Sequence, residues 1–100
     1  GISKRELKDF KEVVPPPPSR KPCKIKINVK SVGVPPTRIE GLVAGITVDE
    51  SFPFSKTVNE PGIYDVGVYE LAVGQRYYVE AQAVDSLGNK DSDRKEFTVS

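Results

Sequence analysis

The sequence predicts an all-β sandwich of six to seven strands, and three observations predict it. From Cys23 onward, apolar residues recur at every second position in short rows, the period of half-buried strands. Clusters of Gly, Pro, Asn and Asp separate the rows as turns. No second helical pattern appears after residue 14.

The opening segment differs from all that follows. Ser3-Lys4-Arg5-Glu6 has the spacing of a capping box, in which the Ser hydroxyl accepts from the Glu6 amide and the Glu carboxylate accepts from the Ser3 amide. Ile2 and Leu7 bracket it as a hydrophobic staple. Leu7, Phe10, Val13 and Val14 then recur at helical spacing, with charged residues elsewhere on the cylinder. A short amphipathic helix over Lys4–Val14 is expected, ended by Pro15. It is shorter than the roughly 12–15 residues at which an isolated helix becomes marginal in water. It therefore needs a surface to lie on, and its apolar stripe is the candidate partner-binding surface. Pro15 to Pro18 favour an extended polyproline conformation, a stiff spacer of roughly 12 Å. The chain divides into an attachment arm over 1–14, a proline-rich spacer over 15–22 and a sandwich over 23–100.

Cys23, Ile25, Ile27 and Val29 alternate with Lys24, Lys26, Asn28 and Lys30, the first strand. Gly33-Val34-Pro35-Pro36 breaks it. Gly41–Val48 supplies a second, with Leu42, Ala44, Ile46 and Val48 expected on one face. Phe52–Val58 is a third, and Pro53 marks it as an edge or a bulge. After the turn Asn59-Glu60-Pro61-Gly62, Tyr64, Val66 and Val68 form the next row. Tyr77, Val79, Ala81 and Ala83 follow Gly74, and Lys95, Phe97 and Val99 close the chain after the turn Ser86-Leu87-Gly88-Asn89.

Leu71, Gly74 and Tyr77 stand in an L-x-x-G-x-x-Y spacing ahead of alternating Val79, Ala81 and Ala83. This resembles the corner and following strand of fibronectin type III and related immunoglobulin-like domains. The resemblance implies an immunoglobulin-like antiparallel sandwich in which the Tyr77 hydroxyl bonds back to the corner backbone and pins the crossover. Val84 to Asn89, followed by a polar run and Phe97-Thr98-Val99, look like the last hairpin and strand of those domains. No Trp occupies the early core position of fibronectin type III, and Val73 stands where a proline usually precedes the corner Gly. Pro61-Gly62-Ile63-Tyr64-Asp65-Val66 also resembles the strand entry of transthyretin-like and carboxypeptidase-regulatory sandwiches, which remain a rival family.

Composition narrows the function. Fifteen Lys and Arg against fourteen Asp and Glu leave a net charge of +1, without the concentrated positive face that nucleic acid requires. No apolar run approaches the roughly 20 residues that span a bilayer. The chain opens on Gly1 without a secretory pattern, as a mature or excised fragment does. With no His, the usual general base, the commonest zinc ligand and the Ser-His and Cys-His pairings are missing. No phosphate-binding glycine loop is present, and the acidic residues are scattered as a solvated surface requires. Cys23 is alone and reads as a small buried hydrophobe, so packing must hold the core. Asp85, Asn89, Asp91 and Asp93 crowd one hairpin but lack the glycine and closing glutamate of a helical calcium loop; a polar turn explains them. Pro15-x-x-Pro18-x-Arg20 has the form of ligands read by proline-ridge-binding domains, a form any basic proline spacer matches.

These readings point away from catalysis, cofactors and metals. The expected function is a non-catalytic structural, display or adhesion module, held to a protein partner or its own larger assembly through Leu7, Phe10, Val13 and Val14. The immunoglobulin-like resemblance implies an extracellular, cell-surface or virion-surface setting. The alternative is a carbohydrate- or protein-ligand-binding sandwich, which two or more exposed aromatics on one face, drawn from Phe52, Phe54, Tyr69 and Tyr78, would favour.

Overall fold

The computed structural model describes residues 19–100. The helix expected over 4–14, the partner-binding stripe Leu7, Phe10, Val13 and Val14, and the four prolines of the spacer lie outside the described residues. Within them the chain forms six strands: β1 (Arg20–Val29), β2 (Thr37–Gly45), β3 (Ser51–Val58), β4 (Gly62–Ala72), β5 (Arg76–Val84) and β6 (Lys90–Thr98). Every pairing is antiparallel. β1 and β4 make a two-stranded sheet, and the second sheet has the order β3-β2-β5-β6.

The two sheets face each other across one core. Ile25 and Val29 of β1 and Leu71 of β4 meet Ile39, Val43, Phe54, Val58 and Tyr77 from the larger sheet, with Val99 closing one end. Tyr77, Ile39, Leu71, Val43 and Thr37 have essentially no exposed surface. Each such apolar side chain contributes about 1.5–3 kcal/mol on burial. The alternation in β1 needs no further cause: Ile25 and Val29 are buried while Lys24, Lys26 and Lys30 are exposed.

Four details differ from the expectations. β1 begins at Arg20, so Arg20, Lys21 and Pro22 belong to a strand and not to the spacer. Pro22 is accommodated because, among the described residues, β1 pairs on one edge alone. β2 runs Thr37–Gly45 and not Gly41–Val48: Ile39 and Val43 enter the core cluster and Leu42 and Ile46 stay outside it, while Ala44 is buried and Val48, beyond the strand, packs against the core. The continuous apolar run Leu42-Val43-Ala44 hides its own phase. The alternation of Thr37 and Ile39 with Arg38 and Glu40 upstream sets it, and a one-residue slip exchanges the faces. In β4 a bulge places Ile25 opposite Gly67 and Lys26 opposite Asp65, leaving Val66 as the extra residue. The row Tyr64-Val66-Val68 is thereby split: Val68 is 59% exposed, and Tyr69 and Leu71 take the inward positions. Cys23 is half-buried at the margin of the core. Pro53 does lie on an edge strand, β3.

Gly41 is where β2 comes closest to its neighbours. A Cβ there would press on the Glu80 carbonyl and lie 2.8 Å from the tip of the Phe54 ring and 2.9 Å from the Ala81 Cα. Gly41→Ala is therefore expected to lower the unfolding free energy by about 1–3 kcal/mol through overpacking. Denaturant titration of the variant against the parent chain checks this; coincident midpoints would refute so close an approach.

Candidate functional site

Three places in the fold gather polar or uncovered groups. The first is the corner between β4 and β5. Val73-Gly74-Gln75 reverses the chain, with Gly74 at φ +85°, a backbone region that side chains disfavour. The Gln75 amide donates to the Ala72 carbonyl, and the Gly74 amide donates to Val99 at 2.7 Å. Leu71 and Tyr77, on either side of the corner, are both fully buried. The Tyr77 hydroxyl accepts from the Ala72 amide at 2.9 Å and donates to Glu50 Oε1 at 3.4 Å. Glu50 in turn receives a two-pronged Arg20 guanidinium at 2.7 and 2.9 Å, while Arg20 also donates to the Glu70 carbonyl. The Arg20 guanidinium beside it holds the Glu50 carboxyl below the usual carboxylate range, and Glu50 raises Arg20 in return. Arg20 is thus engaged with its own domain, which removes the basic residue that the proline-ligand form required.

The second place is the far end of the sandwich. The Asp85 carboxylate is buried and accepts from the Val34 amide at 3.1 Å, the Leu87 amide at 3.0 Å, the Asn89 amide at 2.8 Å and Asn89 Nδ2 at 2.9 Å. It ties the β1–β2 loop to the β5–β6 turn. Gly33, at φ +59°, lets the backbone pass against this carboxylate, where a Cβ would collide with Asp85 Oδ2. Hydrogen bonds, from the Asn89 side chain first and the Val34 amide second, outweigh burial and hold the Asp85 carboxyl down to about 2. With both oxygens committed, Asp85 has little capacity left for calcium. Among the described residues, no three Asp, Glu or Cys side chains gather as a metal site.

The third place is a groove of about 740 Å³ between β1 and β6. Its apolar floor includes Ile25, Ile27, Val79, Ala81 and Phe97. The register places Lys95 opposite Val79, Asp93 opposite Ala81 and Asp91 opposite Ala83, so β6 turns charged residues toward the side where the smaller sheet runs out. Cys23 and Lys21 stand on the β1 wall.

Among the described residues, the aromatics singled out in the sequence do not form an exposed pair. Phe52 and Tyr69 pack together at 5.5 Å, Phe54 is buried, and Tyr78 on the outer face is covered by the Arg94 guanidinium at 4.4 Å. Comparisons with protein families, curated proteins and solved structures return no match. Of the residues singled out in the sequence, Leu71, Gly74 and Tyr77 meet at the corner. Arg20, Glu50 and the anchoring role of Asp85 have no local signal: Arg20 and Glu50 are 30 positions apart. The groove too was invisible, because it arises from which strands share a sheet.

Two expectations follow. Tyr77→Phe orphans the buried Ala72 amide and should cost about 1–3 kcal/mol; an unchanged unfolding midpoint would show that the corner does not depend on the hydroxyl. Asp85 titrates lower when folded than when unfolded, where it lies at about 4. Its contribution is therefore present above about pH 4 and lost as pH falls through about 2. An acid titration followed by circular dichroism should find Asp85→Asn less stable than the parent at neutral pH, with the gap closing toward pH 2. A gap that persists unchanged at low pH would contradict this account.

Proposed function

We propose that the chain is a non-catalytic structural or display module: an immunoglobulin-like domain presented on a proline stalk and attached through residues 1–14. One observation carries the reading. The two polar clusters with buried members, at Tyr77–Glu50–Arg20 and at Asp85, spend their hydrogen-bonding capacity on fastening loops and strands of the same domain. A group that binds or activates a ligand needs free capacity, and these have little. The strand order also supports an immunoglobulin-like assignment, since a two-stranded sheet faces a four-stranded one with the tyrosine at the crossover between them.

The arm supplies the means of attachment. Leu7, Phe10, Val13 and Val14, at about 1.5–3 kcal/mol each, yield roughly 6–12 kcal/mol on burial before ordering costs. That suffices for useful binding without any strand depending on it. Such modules serve on cell surfaces, in secreted multidomain proteins and on virions, and the same setting is proposed here. Carbohydrate binding gains no support from the aromatics, which present no exposed pair among the described residues.

Removal of residues 1–14 tests the reading. The shortened chain is expected to keep its β-sheet spectrum and cooperative thermal unfolding. Loss of the folded state on deletion would place the arm in the domain's own core and end the display proposal.

A further inference from the structure

The smaller sheet is two strands narrower than the sheet it faces. At about 4.8 Å per strand this leaves a strip about 10 Å wide beside β1, above Val79, Ala81 and Phe97. β1 spends one edge on β4, and its other edge has no strand partner among the described residues. We infer that this edge takes up an extended acidic segment of another protein. The segment pairs with β1 as an added strand and lays alternate apolar side chains over the groove. This surface is separate from the attachment through residues 1–14, which uses a different part of the chain.

Charge selects the partner. Lys21, Lys24, Lys26, Lys30, Arg94 and Lys95 line the groove, against the single carboxylate side chain of Asp93. The whole chain carries +1, so the groove holds more positive charge than the chain does as a whole. Arg94 is already held by Glu96 at 3.0 Å and lies over the Tyr78 ring. The groove lysines take part in no ion pair among the described residues. Lys24 and Lys26 are exposed on the outer face of β1, with Lys30 just past its end, while Ile25 and Val29 are buried beneath. An added strand with Asp or Glu at every second position sets carboxylates beside those lysines. Its intervening residues then fall over the apolar floor.

Other occupants fit less well. The β1 edge of a second copy would bring lysine against lysine, and like charges on paired edges repel. Residues 1–14 set Lys4, Arg5, Lys8 and Lys11 against Glu6, Asp9 and Glu12, and so bring no net negative charge. A nucleic acid or an anionic polysaccharide would meet the lysines. It would leave the strand edge unpaired and the apolar floor in water. An acidic strand satisfies lysines, backbone and floor together. Cys23–Val29 offers it a stretch of edge without proline.

An amide NMR titration of the full chain tests this. The probes are a short synthetic peptide in which Val alternates with Glu, the same peptide with Lys for Glu, and single-stranded oligothymidylate. Expected with the Val/Glu peptide are saturable shifts centred on β1 that weaken as salt is added. N-methylation of alternate peptide amides should abolish them in one register and spare them in the other, because a strand turns every second amide toward its neighbour. A Lys24→Glu/Lys26→Glu chain should bind the Val/Glu peptide roughly tenfold more weakly. It should then prefer the Val/Lys peptide, a reversal that a damaged fold does not produce. Shifts that are absent, that centre on another strand, or that ignore N-methylation in both registers would overturn the inference. So would oligothymidylate binding at the same lysines while the peptide leaves β1 unmoved. None of these results depends on whether a chain lacking residues 1–14 still folds, so this surface and the attachment arm fail separately.

Discussion

The Tyr77 hydroxyl is the point through which the two sheets are joined. It sits on β5 of the larger sheet and accepts the amide of Ala72, the last residue of β4 in the smaller one. Its own proton goes to Glu50, in the connection between β2 and β3, and Glu50 holds Arg20 at the start of β1. One buried oxygen thereby links four segments that are distant in sequence. The Arg20–Glu50 pair alone, with Arg20 44% exposed, would contribute little. Its value is geometric, since it keeps Glu50 ionised and aimed at a hydroxyl that must otherwise face the core with an unspent donor.

At the opposite end the same task falls to a carboxylate. Asp85 takes three backbone amides and one side-chain amide, and fastens loops that belong to both sheets. Between these two clasps the sandwich depends on apolar packing, as a chain without disulfides must. The packing is uneven. A four-stranded sheet cannot be covered by two strands, so Val79 and Ala81 are half-buried where Tyr77 and Val43 are wholly so. The inward charges on β6 answer this locally: Asp91, Asp93 and Lys95 discourage a foreign strand from closing over the gap at random.

The strands were legible in the sequence wherever polar and apolar residues alternate strictly, as in β1 and β5. They were misread where a signal is degenerate. In β2 three consecutive apolar residues conceal the phase, and in β4 a bulged Val66 shifts it midway, so a row that begins inward at Tyr64 ends outward at Val68. The corner was legible because the pattern that marks it is local. Arg20, Glu50 and the groove were not, because each depends on which strands become neighbours, a property of topology that no short window of sequence contains. The start of β1 was obscured for a related reason: Pro22 suggests a linker until the strand is known to have a free edge.

Polar satisfaction and apolar cover are distributed differently over the described residues. Here the buried side-chain polar atoms of the described residues all have partners within the domain. Among the described residues, what lacks a partner is backbone and apolar area: the outer edge of β1 and the inward faces of β5 and β6. Unpaired strand edge and uncovered core are satisfied by another stretch of polypeptide, since hydrophobic burial needs matching area more than a reactive atom.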